Sequence, residues 1–105
     1  MRTAFQKEVL RVLRKHGSDT TKPHIFEFHV YLPSRARAKM AADKIRQNGF
    51  SEAEVSRAGA GRKWLCAARK RIIPQKADLE EQARFFQQLA DALGGQFDGW
   101  EAELI

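Results

Sequence analysis

One cysteine, Cys66, and three histidines, His16, His24 and His29, are the residues whose types could act as nucleophile, base or metal ligand. A nucleophile needs an adjacent base and a third group that orients the base. Cys66 sits in Trp64-Leu65-Cys66-Ala67-Ala68, an apolar stretch that suits a small core thiol better than a reactive one. His24 and His29 differ in parity, so on a regular strand they face opposite ways and cannot share a metal. A single cysteine also excludes an intramolecular disulfide framework and any Cys-rich zinc site. Glu101 and Glu103 lie two apart and share a strand face, but no neighbour would split their pKa values, so a solvated face accounts for them. Gly59-Ala60-Gly61 precedes a strand rather than a helix, so its amides would not converge on a phosphate. No catalytic residue, no metal and no cofactor is expected.

The residues around these groups follow regular helix and strand periods. Phe5, Val9, Val12 and Leu13 recur near the helical period, with Leu10 on a flank, and Gly17 ends a predicted helix over residues 1–17. From His24 to Leu32 the sequence alternates: His24, Phe26, Phe28, Val30 and Leu32 on one side, Ile25, Glu27, His29 and Tyr31 on the other. That is a strand with one buried face. Pro33 ends it, and Ser34 caps a helix running to about Asn48, with Ala38, Ala41, Ala42 and Ile45 on its inner stripe. Asn48-Gly49 is its stop. Two strands follow, over Ala53–Arg57 and Arg62–Arg69, joined by the glycine-bearing turn. After Pro74, Asp78 reads as the N-cap of a second long helix, with Glu81 completing a capping box. Leu79, Ala83, Phe86, Ala90 and Leu93 form its buried stripe, and Phe97–Leu104 is a last strand.

The predicted fold is therefore one α+β domain spanning residues 1–105. Residues 23–105 form a ferredoxin-like split β-α-β sandwich, β-α-β-β-α-β with a four-stranded antiparallel sheet, and residues 1–17 add an N-terminal helix. A chain of 105 residues is too short for two independent cores. No apolar run approaches the ~20 residues of a membrane span. The first seventeen residues mix charged and apolar types and lack the apolar core of a secretory signal, which with the lone cysteine points to a reducing cytoplasm.

Charge is unevenly spread along the chain. Residues 1–48 carry 11 basic and 4 acidic side chains and residues 49–76 carry 7 and 2, whereas residues 77–105 carry 1 and 7. The molecule should be electrically polar, with its basic part open to nucleic acid, anionic lipid or an acidic protein. The basic helix face of Arg35, Arg37, Lys39 and Arg46 is the candidate docking surface. RNA is the other class of partner, reached through this helix or through Arg69-Lys70-Arg71. Base stacking on the sheet is disfavoured. The third strand lacks the aromatic pattern of an RNA-recognition motif, and Glu27, Glu101 and Glu103 would repel phosphate. Phe97-Asp98-Gly99-Trp100 has two readings: core aromatics flanking a bulge at Gly99, or a partner-contacting edge formed by Asp98, Gly99 and Trp100.

Gly17-Ser18-Asp19, the strand rich in His and Phe, the Ala-rich helix ending at Gly49-Phe50, and Leu79 through Trp100 together resemble the ribonuclease E inhibitor RraB family. The resemblance runs from about Leu13 to Glu103. Its most specific element is the aromatic-Asp-Gly-Trp run at 97–100 after a long helix. It implies a ferredoxin-like, non-catalytic cytoplasmic domain that binds an endoribonuclease and modulates RNA turnover.

Overall fold

The computed structural model describes residues 10, 11, 13–15, 17–59 and 63–103. Phe5, Val9, Val12 and His16 lie outside the described residues, as do Ala60, Gly61, Arg62 and Leu104. Residues 10, 11 and 13–15 are helical, and Leu13 is buried. The helical stretch closes at Gly17, with the amides of Gly17 and Ser18 donating back to the carbonyls of Arg14 and Leu13.

Strand β1 (His24–Leu32) is followed by helix α1 (Arg35–Gln47), strands β2 (Glu52–Arg57) and β3 (Trp64–Ile72), helix α2 (Lys76–Ala92) and strand β4 (Gln96–Ala102). The four strands make one sheet in the order β2-β3-β1-β4, every neighbouring pair antiparallel. The alternation in β1 holds throughout: His24, Phe26, Phe28, Val30 and Leu32 are all buried. The inner stripes of both helices join them in one apolar cluster, so the two helices cover one face of the sheet. Ala38, Ala41 and Ala42 give α1 a thin inner surface, and Phe50 fills the space beyond its end.

Ser34 caps α1, its Oγ accepting from the Arg37 amide. The helix closes at Gly49, whose φ of +91° only glycine adopts without cost, and the Phe50 amide reaches back to the Ile45 carbonyl.

Strand ends shift by a residue or two from the sequence expectation, with β3 starting at Trp64 and β4 spanning Gln96–Ala102, and two boundaries depart further. Asp78 is not the N-cap of α2. The helix starts at Lys76 on Gln75, whose carbonyl already accepts the Leu79 amide and whose side chain makes no capping bond. Asp78 instead lies in the first turn, where its charge favours the helix dipole. Strand β3 runs on to Ile72 rather than stopping at Arg69, because nine-residue β1 pairs along its whole length and needs Ile72 opposite His24. Buried Ile72 closes the core at that end.

The last strand carries the bulge expected at residues 97–100. Phe28 pairs with Trp100 and Val30 with Phe97, so three steps along β4 match two along β1. The extra residue is a bulge at Asp98-Gly99, with Gly99 at φ +93°. It turns both Phe97 and Trp100 into the core, at 0% and 4% exposure.

Phe86 lies in the middle of the cluster, stacked on Phe28 and Phe97 and edge-on to Phe50. Phe86→Ala is expected to cost about 3–5 kcal/mol, since the ring leaves a cavity its neighbours cannot close. Urea denaturation checks this, and a loss below about 1 kcal/mol would contradict the packing described.

Candidate partner-binding surface

The sheet gives the protein two unlike sides. Helix α1 lies over β2 and β3, and α2 lies mainly over β4 and β1. The basic α1 and the acidic α2 are thereby set side by side, so the charge separation along the chain survives folding. The other side of the sheet is open. It carries Ile25, Glu27, His29 and Tyr31 from β1, Glu52 and Glu54 from β2, and Arg69 and Arg71 from β3. β4 adds Glu101, opposite Glu27.

Glu27 is the centre of that open face. Arg69 Nε donates to its Oε2 at 2.7 Å, and His29 Nε2 donates to its Oε1 at 2.8 Å. The bond from Arg69, then that from His29, hold the Glu27 carboxyl below the usual glutamate range, against a smaller opposing effect of burial. Beside this trio a depression of about 450 Å³ is bordered by Ile25, Glu52, Glu101 and Glu103. Glu101 and Glu103 do share one side, and both are exposed. A carboxylate-rimmed sheet is a poor platform for a phosphate backbone.

The Arg69-Lys70-Arg71 run does not make a cationic patch. Alternation sends Arg69 and Arg71 to the open face, where Glu27 engages Arg69, and Lys70 to the helix side, its Nζ 5.0 Å from the Phe50 ring centre.

The four basic residues read from α1 are all exposed, but they are not equivalent. Arg37 reaches across to α2 and donates to the Leu93 carbonyl at 2.9 Å, pairing a cation with that helix's C-terminal end. Arg46 donates to the Ala53 carbonyl at 2.7 Å and lies 3.4 Å from Asp43. These two join α1 to its neighbours. Arg35 and Lys39 make no ion pair among the described residues. Of the second group, Asp98 is exposed, whereas Gly99 and Trp100 are buried. Trp100 packs edge-on against Phe28 and Phe26.

Two residues were missed in the sequence. Trp64 is half-buried at the start of β3, and the guanidinium carbons of Arg57 and Arg35 lie 5.5 and 5.9 Å from its ring centre. Arg57 is the direct cross-strand partner of Trp64. The usable signal was the β2–β3 register, which the flanking glycine turn alone does not fix.

The groups with chemical potential are scattered. Cys66 is fully buried, and burial pushes its thiol up to about 11 despite the opposing charge of Arg46. His24 lies within the core side of β1, its Nδ1 donating to the Lys22 carbonyl, while His29 is on the open face. Among the described residues no three His, Cys, Asp or Glu side chains come close enough to hold a metal ion. No helix among them is long and apolar enough to cross a membrane.

What this geometry defines is a two-layer α+β protein with a basic helix, an acidic open sheet and, among the described residues, reactive side chains that are dispersed. The chain belongs to the RraB family, "Regulator of ribonuclease activity B", whose family model matches residues 3–102. The match covers nearly the whole chain. None of the curated proteins matches it.

Two outcomes follow. The low Glu27 pKa means that the folded state favours the carboxylate. Its contribution is present above the ordinary glutamate range and is lost as pH falls through the folded value. Glu27→Gln should lower stability by about 0.5–1 kcal/mol near neutrality, a size suited to a part-exposed pair, with the difference shrinking in acid. Urea melts at pH 7 and pH 3 check this. Buried Cys66 should react with an aromatic disulfide reagent only as the protein unfolds. Stoichiometric labelling within seconds of mixing with the native protein would contradict that.

Proposed function

We propose that this protein is a non-catalytic regulator that binds an endoribonuclease of the ribonuclease E type and lowers its activity on RNA in the cytoplasm. On this reading the β-α-β-β-α-β order and the β2-β3-β1-β4 sheet constitute a ferredoxin-like domain used as a rigid docking body. The observation that carries the proposal is the family match over residues 3–102. The geometry supports it from the other side. The lone thiol is buried and the histidines within the described residues face apart, so recognition is a better account of the surface than reaction.

Recognition by charge suits a molecule whose basic and acidic elements are segregated. Such contacts set association rate and selectivity, and they weaken as salt is added. RNA is the less favoured partner. The open sheet is rimmed by carboxylates, and Glu27 occupies one of the arginines that could have met phosphate there.

The test uses the purified protein, a full-length ribonuclease E-type enzyme and a labelled RNA substrate. Cleavage should fall in proportion to regulator added until a stoichiometric complex is reached. Excess substrate RNA should not strip the regulator from immobilised enzyme. Undiminished cleavage with no complex, or release of the regulator by RNA, would refute the reading.

A further inference from the structure

The basic surface divides into cations that hold the fold and cations that do not. Arg37 and Arg46 are bonded to backbone carbonyls of α2's end and β2, and Arg69 is bonded to Glu27. Arg35 and Arg57 meet no carboxylate among the described residues, yet both are held against one aromatic ring. They come from different elements. Arg35 opens α1, and Arg57 ends β2 opposite Trp64. Leu32 also pairs with Trp64, which brings the β1–α1 connection, and with it Arg35, to this end of the sheet.

The geometry points to the Arg35–Trp64–Arg57 cluster as the docking site for an acidic, Asp/Glu-rich segment of a protein partner. This deepens the reading of the protein as a binding regulator and rests on it. A guanidinium on an indole loses rotamer freedom before any partner arrives, so less is lost when the complex forms. Its planar fork then meets a carboxylate with two parallel N–H bonds, which a lysine cannot match. Two such forks around one ring make a preorganised acceptor for paired carboxylates. The local charge is undiluted. Glu52 and Glu54 share β2 with Arg57 but point to the open face, because strand alternation separates them from it. Exposed Lys63, adjacent to Trp64, and Lys39, one turn along α1 from Arg35, extend the same sign. A single-stranded RNA would need the indole face for base stacking, and here guanidinium groups already lie within 6 Å of the ring centre.

The probe is a fluorescent peptide of about twelve residues in which Asp and Glu alternate with Ser and Gly. Its binding is followed by anisotropy at near-physiological salt. Arg35→Gln/Arg57→Gln should weaken binding about tenfold, in the range measured for close charge pairs. Lys22→Gln/Lys44→Gln removes the same charge from exposed sites elsewhere, Lys22 lying at the far end of β1 from Leu32, and should change affinity less than about twofold. Circular dichroism and a thermal melt establish that both double variants fold. Equal weakening by the two would show that net charge alone is sensed and would overturn the proposal. So would a U-rich RNA of similar length that binds more tightly than the peptide and loses that binding in the arginine variant. The peptide assay contains no nuclease, so it separates this site from the regulatory function. A nuclease complex unaffected by Arg35→Gln/Arg57→Gln rejects the site and leaves the regulator. Peptide binding without any nuclease complex rejects the regulator.

Discussion

The ring of Phe28 lies on the ring of Phe86, centres 4.6 Å apart and planes within 10° of parallel. This contact between a central strand and α2 is the one on which the other packing depends. Phe50 meets both rings edge-on, Trp100 meets Phe28, and Phe97 stacks on Phe86. Residues from the end of α1 and from β4 thereby converge on a single pair. Offset-stacked and edge-on aromatic pairs add to the free energy of burial because ring edges and faces carry opposite partial charge. They also need defined angles, so each ring restricts where its element can sit. The bulge at Gly99 is a consequence, since without it Trp100 would turn away from Phe28 and onto the open face.

This aromatic centre leaves surface chemistry to the periphery and sets how charges meet. With α1 over β2 and β3, and α2 over β1 and β4, basic and acidic segments stay apart instead of neutralising each other. Where they do touch, the link is a cation to a carbonyl, as between Arg37 and Leu93, rather than an ion pair. The open sheet is finished differently, with Glu27 joining β1 to Arg69 of β3 across the face. The molecule thus offers partners a cationic surface on α1 and an acidic one on the open sheet. Two contrasting surfaces on one rigid body are well suited to discriminating among partners, because a wrong approach meets like charge.

The element order and most of the core were legible in the sequence, because burial on one face imposes a period that the residue types must follow. The alternation from His24 to Leu32 and the stripe from Leu79 to Leu93 needed no tertiary information. Ends were less legible. Asp78 has the chemistry of both an N-cap and a first-turn residue, and in the structure it is the latter, within the first turn of a helix that starts on Gln75. The candidate site was half legible: the basic α1 was visible as composition, its division into occupied and free cations was not.

Residue order alone carries the period of each element, the inner residues of both helices, the opposition of His24 and His29, and the segregation of charge along the chain. Those are local properties, since side-chain direction follows from backbone geometry over a few residues. The burial of Trp100 is instead a product of three-dimensional packing, because one bulged residue reverses parity. The same packing gives Arg37 to a carbonyl 56 positions away and brings Arg35 and Arg57 together on Trp64. A guanidinium reaches several ångströms and bonds to whatever folding brings within that reach, so its role depends on distant segments that no local pattern encodes.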